Sequence, residues 1–160
     1  PLTSKADSLS IYYVTCPHSS SDTRNTSAGE CSACASLLNY LAKHNADCAA
    51  LTPYRKQLAK IISAAPVAAS QNRVLTVHAS QGREWDIVLL SVVDGKRKFF
   101  MNSSIEIGRY VLNTAISRTR RAIVLLLDPS CGEGENQIIS ELMRSALPLN
   151  ISNPTPLLSV

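Results

Sequence analysis

The sequence predicts an α/β domain in which a mostly parallel sheet is covered by helices on both faces. Short runs of Val, Ile and Leu alternate along the chain with longer segments whose apolar residues recur at helical spacing. Strands that are apolar on both sides are typical of parallel sheets buried between two layers of helices. The 160 residues are enough for about one domain, which we place at 1–150, with 151–160 as a tail or linker.

The predicted strands are the short runs rich in aliphatic residues, at 9–16, 48–52, 72–78, 86–93 and 122–128. The predicted helices are the segments with an apolar stripe, at 30–44, 53–63, 105–119 and 135–147. Thr52 is placed to cap the second helix, and Pro53 stands at its first position, where a missing N–H group costs nothing. In the last helix the stripe predicts the inward residues Ile138, Ile139, Leu142 and Met143.

Composition gives no support for a membrane role and permits an anionic partner. No run reaches the roughly 18 apolar residues that a membrane-spanning helix needs. The 16 basic and 12 acidic residues give a net charge of +4, which suits nucleic acid or describes an ordinary solvated surface. The chain starts at Pro1 without a secretion leader and its 5 cysteines are an odd number, so we expect a reducing, cytoplasmic location.

A C-x-x-C pair, Cys31 and Cys34, raises the alternative of a zinc or redox site. A zinc site needs a second close pair of ligands, and the remaining cysteines stand singly in the sequence. The two cysteines also share a helical face with Leu37, Leu38 and Leu41. We therefore predict that they pack as small apolar residues and bind no metal.

Polar residues interrupt the apolar pattern in three stretches, "LTPYRKQ" (51–57), "TVHASQGREWD" (76–86) and "NTAISRTRR" (113–121). In open α/β sheets, ligands bind outside the carboxyl ends of the strands. We expect all three stretches to lie at that edge and to form a site.

These stretches resemble motifs IV, V and VI of superfamily 1 helicases, in the same order and at similar intervals. The run Q-G-R-E-x-D after a T-V-x strand is typical of the branch that includes the nonsense-mediated-decay helicase and the Okazaki-fragment-processing helicase-nuclease. The resemblance covers residues 48–128 well and the first strand and helix more loosely. It implies a RecA-like fold of the P-loop NTPase type and the second motor domain of a nucleic-acid-dependent ATPase.

The sequence contains no G-x-x-x-x-G-K-[ST] phosphate loop, and no Asp-Glu pair follows a strand to hold magnesium. In helicases of this kind both motifs belong to the first motor domain. The resemblance therefore implies that this chain completes a site for ATP and Mg²⁺ together with an N-terminal RecA-like domain of the same protein. The metal ligands are expected in that domain, and the chain alone is expected to be inactive.

The resemblance assigns the nucleotide side of the site to motifs V and VI. Arg118 matches the arginine finger of the family, and the alternative is a surface arginine at a helix end. Gly82 permits close approach of the backbone to a phosphate, Glu84 matches the residue that accepts from the ribose hydroxyls, and Gln81 would bridge nucleotide and nucleic acid. Arg121, like Arg120, either contacts phosphate or interacts with the helix dipole.

Motif IV adds Tyr54, which fits P-Y-x-x-Q together with Gln57. Close relatives often carry a phosphate-sensing arginine directly after that glutamine, where this chain has Leu58. Two interpretations stay open: Arg55 takes that role, or the role is missing.

The nucleic-acid side is assigned to Thr76, His78 and Ser80, which share one face of the predicted β-strand. They match family positions that contact the nucleic-acid backbone. The alternative for His78 is a buried core imidazole. The segment 94–104 adds Lys96 and Lys98 beside two phenylalanines. This mixture suits single strands, through phosphate contacts and base stacking, or it is a solvated turn with phenylalanines in the core.

The sequence thus predicts the C-terminal motor domain of an ATP-dependent DNA helicase that binds single-stranded DNA, with RNA as an alternative substrate. The branch resemblance suggests 5′-to-3′ movement. The alternative function is a non-catalytic, degenerate helicase-like module that binds nucleic acid or a partner protein. A free-standing nucleotide-binding enzyme is disfavoured because the phosphate loop is missing.

Overall fold

A computed structural model of the chain describes residues 4–23, 25–93, 105–131 and 137–160. The described residues form one sheet from the strands β1 (Ser10–Thr15), β2 (Cys48–Thr52), β3 (Val74–Thr76), β4 (Trp85–Ser91), β5 (Thr119–Leu127) and β6 (Leu147–Pro148). The strand order is β3-β2-β4-β5-β1-β6, and each of these neighbouring pairs is parallel. The predicted parallel α/β architecture is confirmed.

The helices are α1 (Ala28–Lys43), α2 (Arg55–Ala64), α3 (Pro66–Ser70), α4 (Ile105–Ser117) and α5 (Gln137–Met143). The first two cover one face of the sheet, where Leu37 and Ile61 pack in one core cluster. The last two cover the other face, where Leu112 and Ile139 pack in a second cluster. Among the predicted inward residues of α5, Leu142 is buried and Met143 is partly buried, whereas the side chain of Ile138 lies outside the described residues.

Burial explains why the central strands carry almost no polar residues. The side chains from Ile87 to Leu90 in β4, and from Ala122 to Leu127 in β5, are buried whichever face they point to. A strand covered on both faces loses the period-two alternation of polar and apolar residues, so its sequence reads as a continuous aliphatic run.

The C-x-x-C pair lies inside α1 and faces the core, as predicted from its helical spacing. Cys31 and Cys34 are buried in the cluster that contains Leu37, Leu38 and Leu41. All 5 cysteines are buried. Burial, and secondarily the nearby Glu30 carboxylate, raises the pKa of the Cys16 thiol to about 12, so this thiol is protonated at neutral pH.

The start of α2 corrects one sequence expectation. Thr52 does not cap this helix but is the last residue of β2, where its carbonyl accepts from Val77 N at 3.0 Å. The residue at the N-cap position is Tyr54, which makes no side-chain capping bond. Pairing with β3 therefore outweighs the capping preference of a threonine, and the helix begins two residues later than predicted, at Arg55.

Residues 151–160, predicted as a tail or linker, are packed against the domain. Leu149 donates its backbone N–H to Tyr13 O at 2.9 Å, and a 3₁₀ helix, Thr155–Ser159, follows. Within it, Leu157 is buried in the cluster on the α1 side of the sheet, with Val160 partly buried beside it. The apolar residues of this segment thus contribute to the core rather than to a frayed end. Among the described residues, no helix is both long and apolar enough to cross a membrane.

Candidate functional site

The strand registers divide the polar stretches between the two edges of the sheet. Trp85 pairs with Thr119 where β4 and β5 begin, so Glu84 and Arg118, one residue earlier in each case, lie at the amino edge. At the other end Ser91 pairs with Leu126, and β2 ends at Thr52, so Tyr54 and Arg55 lie at the carboxyl edge. The 7 residues of β4 separate these edges by roughly 20 Å.

The expectation that all three stretches gather at the carboxyl edge is therefore wrong. Parallel strands require the chain to return to the amino edge before each new strand begins. For β5 this return is α4, which ends at Ser117, and for β4 it is the loop 81–84. The structure thus brings Glu84 and Arg118 together and leaves Tyr54 and Arg55 at the opposite edge.

At the amino edge the Arg118 guanidinium is held by uncharged oxygens. Its Nε and Nη2 donate to Ser117 Oγ at 3.1 and 3.0 Å, and its Nη1 donates to Arg83 O at 3.3 Å. The Arg118 carbonyl accepts from Trp85 N at 2.9 Å, which fixes the backbone between α4 and β5. The guanidinium thus lies directly against the loop that precedes β4, and it is only partly buried.

The loop itself is anchored by Arg83. Its guanidinium lies over the Trp85 ring, 5.0 Å from the centroid, and its Nη2 donates to Asn72 O at 3.1 Å. Because the Arg83 side chain is fixed in this way, its carbonyl is presented to Arg118 in a defined position.

Glu84 and Gly82 occupy the open side of the same loop. The Glu84 side chain is 46% exposed, and its Oε1 accepts from Lys5 Nζ at 3.2 Å. Gly82 has a φ of +79°, and a Cβ placed there would meet no atom within 4 Å. The glycine is therefore required by its left-handed backbone rather than by crowding, and the space beside it is open to a ligand.

Gln81 and His78 contact a residue that the sequence did not single out, Tyr110 of α4. Gln81 Nε2 donates to the Tyr110 hydroxyl at 3.0 Å, and the rings of His78 and Tyr110 lie 5.9 Å apart. Tyr110 is an exposed aromatic residue, 49% accessible. The segment 78–84 therefore runs along α4, with Tyr110 at one end and Ser117 at the other.

The predicted alternation of Thr76, His78 and Ser80 on one strand face is wrong. Strand β3 ends at Thr76, Val77 adopts a helical conformation, and His78–Ser80 form a 3₁₀ turn. Ser80 is buried and donates to Val77 O at 2.6 Å, and Thr76 Oγ1 accepts from Ala79 N at 3.2 Å. His78 is exposed, so the alternative of a buried imidazole is also wrong.

Arg120 is distinguished from Arg118 by its partners. Its Nε donates to Asp86 Oδ1 at 2.9 Å, and its Nη2 bonds Asp47 Oδ2. Asp47 also accepts from the backbone N–H of Asp86. Arg120 thus ties the amino ends of β2, β4 and β5 together with its charge balanced, while Arg121 beside it is exposed. Lys96 and Lys98 lie outside the described residues.

At the carboxyl edge, Gln57 belongs to a buried polar network rather than to an open site. Its Oε1 accepts from Ser27 N at 2.9 Å, and its Nε2 donates to Ser27 O at 3.0 Å and Ser91 Oγ at 3.1 Å. The side chain is fully buried, as is most of Tyr54, whereas Arg55 is exposed. Gln57 thus joins α2 to the start of α1 and the end of β4.

The same network contains a buried carboxylate that sequence reasoning missed, Glu30. Its Oε1 accepts from Ser91 Oγ at 2.9 Å and from Val93 N at 2.8 Å, and Val93 has a φ of +66°, which is unusual for a β-branched residue. Its Oε2 is buried and has no hydrogen-bond partner within the described part of the chain, and it lies 3.7 Å from His18 Nε2. The S-x-x-E pattern at 27–30 is typical of a capping box, in which the glutamate side chain would accept from Ser27 N. Here Gln57 Oε1 accepts that hydrogen bond instead.

Burial raises the pKa of Glu30 above its ordinary value of 4.5, and the contacts with His18, Val93 and Ser91 offset this in part. The interaction with Glu30, with the Asp128 and Asp22 carboxylates also contributing, raises the pKa of His18 above 6.5. At 3.7 Å the contact between the two side chains is an ion pair rather than a hydrogen bond. One or both groups therefore hold a proton in the folded chain more tightly than in the unfolded chain.

We expect the free energy of unfolding to fall as pH rises from 5.5 to 7.5. Both folded-state pKa values lie above the unfolded ones, so the His18 contribution is complete below pH 6.5 and is lost as pH rises through its folded pKa. Glu30→Gln should flatten this dependence, because it removes the buried charge while keeping an oxygen for Ser91 and Val93. Urea unfolding at pH 5.5 and 7.5 measures the pH dependence of the free energy of unfolding for the unmodified chain and for Glu30→Gln. The substitution Glu141→Gln, at an exposed residue, is the control. Equal slopes for Glu30→Gln and the unmodified chain would contradict the assignment.

The described residues contain no group of three His, Cys, Asp or Glu side chains able to hold a metal ion. The open side chains at the amino edge suit a nucleotide instead. The Arg118 guanidinium can donate hydrogen bonds to a phosphate, and the half-exposed Glu84 carboxylate can accept hydrogen bonds from hydroxyls.

The parallel sheet, with helices on both faces, defines a RecA-like α/β domain. The C-terminal domain of a possible DNA helicase from Lactobacillus plantarum WCFS1 superposes with a TM-score of 0.50, at 12% identity, over 81% of this chain and 87% of that domain. The PRRSV nsp10 helicase aligns over 82% of this chain and 18% of its own length, at 19% identity and a TM-score of 0.37. No protein with a curated description matches the sequence.

The family assignment comes from a match of the sequence to a protein-family model. Residues 4–130 match the AAA domain family, which is more than half of the chain. The protein belongs to this family.

Proposed function

We propose that the chain is the second motor domain of a superfamily 1 ATP-dependent DNA helicase and that its amino edge completes the ATP site. The observation that carries this proposal is the placement of Arg118 and Glu84 side by side, at the starts of two neighbouring strands. The AAA domain family and the helicase-type fold support it. The other part of the ATP site is assigned to an N-terminal RecA-like domain of the same protein.

The electrostatic state of Arg118 suits an arginine finger. Phosphoryl transfer spreads negative charge over the γ-phosphate oxygens, and a guanidinium that reaches them stabilises the transition state. The hydrogen-bond acceptors of Arg118 are a hydroxyl and a carbonyl, so no carboxylate neutralises its charge through these bonds. Arg120, bonded to two carboxylates, is a poor candidate for the same role.

ATP with Mg²⁺ is the proposed cofactor pair, and the chain contributes residues to the nucleotide alone. In this proposal Glu84 accepts from the ribose hydroxyls and the open backbone at Gly82 lies near the phosphates. Bound Mg²⁺ would neutralise charge between the phosphate groups, with its protein ligands in the first motor domain. Tyr54 and Arg55 lie at the opposite edge of the sheet, and Arg121 is an exposed residue near the start of β5. We assign these three residues no role in the proposed ATP site.

The segment 76–80 is the proposed contact to single-stranded DNA, with RNA as the alternative. His78 is its exposed ring, tilted against Tyr110 at 5.9 Å between ring centroids, and an exposed pair of aromatic rings suits an unpaired base. The hydroxyls of Thr76 and Ser80 are hydrogen-bonded within the turn. In this proposal these two residues hold the turn in place, and His78 contacts the nucleic acid. Gln81 follows directly and joins this surface to the loop that carries Glu84.

Two substitutions should separate nucleotide binding from strand binding in the protein that joins this chain to its first motor domain. Glu84→Ala should raise the KM for ATP about tenfold and leave strand affinity without nucleotide unchanged, because it removes a contact to the nucleotide alone. His78→Ala should weaken the affinity for single-stranded nucleic acid about fivefold to 150-fold with nucleotide affinity unchanged, because a stacking ring is worth about 1–3 kcal/mol. Steady-state ATPase assays and oligonucleotide titrations at two salt concentrations measure these effects.

The control for Glu84→Ala is Glu141→Ala, which removes an exposed carboxylate on α5. If several phosphates are contacted, log affinity should fall with log salt by about 0.7 per contact. If His78→Ala binds single-stranded oligonucleotide as tightly as the unmodified protein does, the proposed role of His78 in nucleic-acid binding is wrong. An unchanged KM for Glu84→Ala would remove the nucleotide assignment and favour the non-catalytic module.

The isolated chain should hydrolyse ATP no faster than background, since neither a phosphate loop nor an Asp-Glu pair is present in its sequence. A phosphate-release assay on the purified chain checks this. Turnover that a substitution within the chain abolishes would contradict the proposal that it completes a site formed elsewhere.

A further inference from the structure

Lys5 joins the two halves of the amino-edge cluster. Its Nζ donates to Glu84 Oε1 at 3.2 Å and to Ser117 O at 3.0 Å, which links the loop before β4 to the end of α4. The residue lies in a 3₁₀ helix, Ser4–Ser8, whose Ser8 hydroxyl donates to Lys5 O at 2.8 Å. Ala6 of this helix is buried in the same core cluster as α4. The ammonium group is thus carried by a packed element rather than by a free terminus.

The position of Lys5 also suits the charges around it. Ser117 is the last residue of α4, and the free carbonyls at the end of a helix carry partial negative charge that favours a cation. The same residue serves both cations of the cluster, since its carbonyl accepts from Lys5 and its hydroxyl accepts from Arg118. The two positive groups are therefore held close together without sharing an acceptor atom.

This arrangement determines which cation Glu84 neutralises. Arg118 bonds the carbonyl of Arg83, the residue next to Glu84, so the carboxylate is within a short chain distance of the guanidinium. In the structure Glu84 pairs with Lys5 instead. Lys5 thereby bonds one oxygen of the Glu84 carboxylate, and a bidentate pair with a guanidinium would need both oxygens.

We propose that Lys5 is a positioning residue of the nucleotide site, which acts by holding Glu84 in place for the ribose of ATP and away from Arg118. The inference rests on the proposed function of Glu84. The pair is partly exposed, with side-chain exposures of 35% for Lys5 and 46% for Glu84, so its contribution to stability is small and its effect is expected in nucleotide kinetics.

The test uses a double-mutant cycle in the protein that joins this chain to its first motor domain. Lys5→Met should raise the KM for ATP about fivefold, and Lys5→Arg should restore most of the loss because it retains a cation. In a Glu84→Ala background, Lys5→Met should have no further effect on KM. Lys43→Met, at an exposed lysine at the end of α1, is the matched control and should behave as the unmodified protein.

A second readout separates positioning from general structural support. Without Lys5, the preference for ATP over 2′,3′-dideoxy-ATP should fall towards the value of Glu84→Ala, whereas a loss of stability would lower activity on both nucleotides equally. Additive effects of Lys5→Met and Glu84→Ala on KM would overturn the proposal and leave the role of Glu84 intact. If Glu84→Ala alone leaves KM unchanged, the nucleotide assignment fails, and the Lys5 proposal fails with it.

Discussion

Replacing Arg118 with alanine is expected to lower the kcat for ATP hydrolysis about a thousandfold in the two-domain protein, with a much smaller change in nucleotide affinity. The guanidinium acts mainly as negative charge develops on the transferred phosphoryl group, so its loss raises the barrier more than it weakens binding. Single-turnover hydrolysis with saturating ATP measures the chemical step, and equilibrium titration with a labelled nucleotide measures the affinity.

Arg120→Ala is the matched control, because it removes a guanidinium two residues away that already bonds the carboxylates of Asp47 and Asp86. We expect its kcat to stay within about threefold of the unmodified protein, since exposed ion pairs contribute little to stability. A kcat for Arg118→Ala within tenfold of that of the unmodified protein would show that the arginine finger is assigned to the wrong residue. A larger loss of kcat for Arg120→Ala than for Arg118→Ala would show the same.

Replacing Gln57 with alanine is expected to lower the free energy of unfolding by about 3 kcal/mol. The amide satisfies both the N–H and the C=O of Ser27 and donates to Ser91 Oγ, and all three residues are fully buried. Its loss leaves the Ser27 backbone groups without these partners and opens a cavity between α1, α2 and β4. Urea unfolding of the isolated chain, followed by circular dichroism, measures the change.

Gln71→Ala is the control for this prediction, because Gln71 is an exposed glutamine after α3 and its removal should cost less than about 0.5 kcal/mol. Equal destabilisation by the two substitutions would contradict a specific role for the buried amide. The result also bears on motif IV, since Gln57 then serves folding rather than nucleotide binding.

The sequence predicted the elements of this fold because burial on both faces leaves a direct mark on composition. Strand β2 was predicted with its observed bounds, and β4 and β5 were predicted within three residues at each end. The helical stripe likewise predicted that Cys31 and Cys34 face the core. The predicted boundaries of elements were wrong where pairing with a neighbouring strand outweighed a local preference. Thr52, for example, pairs in the sheet instead of capping α2.

The candidate site was predicted in part. The residue identities of Glu84 and Arg118 came from the motif resemblance, and the structure places them together. Their location at the amino edge was not foreseen, because a sequence shows which residues follow a strand but not where the next strand of a parallel sheet begins in space. Glu30 was missed because a glutamate near a helix start gives no sign that it will be buried.

The sequence by itself thus determined the alternation of strands and helices, the two buried faces of the sheet and the resemblance to a helicase motor domain, since these depend on patterns within short segments. Only the tertiary structure decided which of two arginines bonds carboxylates, because Arg118 and Arg120 are two residues apart and differ through Asp47, just before β2, and Asp86 in β4. It also decided that Lys5 pairs with Glu84, 79 residues away. Charge balance at a site is a property of neighbours in space, and parallel strands bring those neighbours from distant parts of the chain.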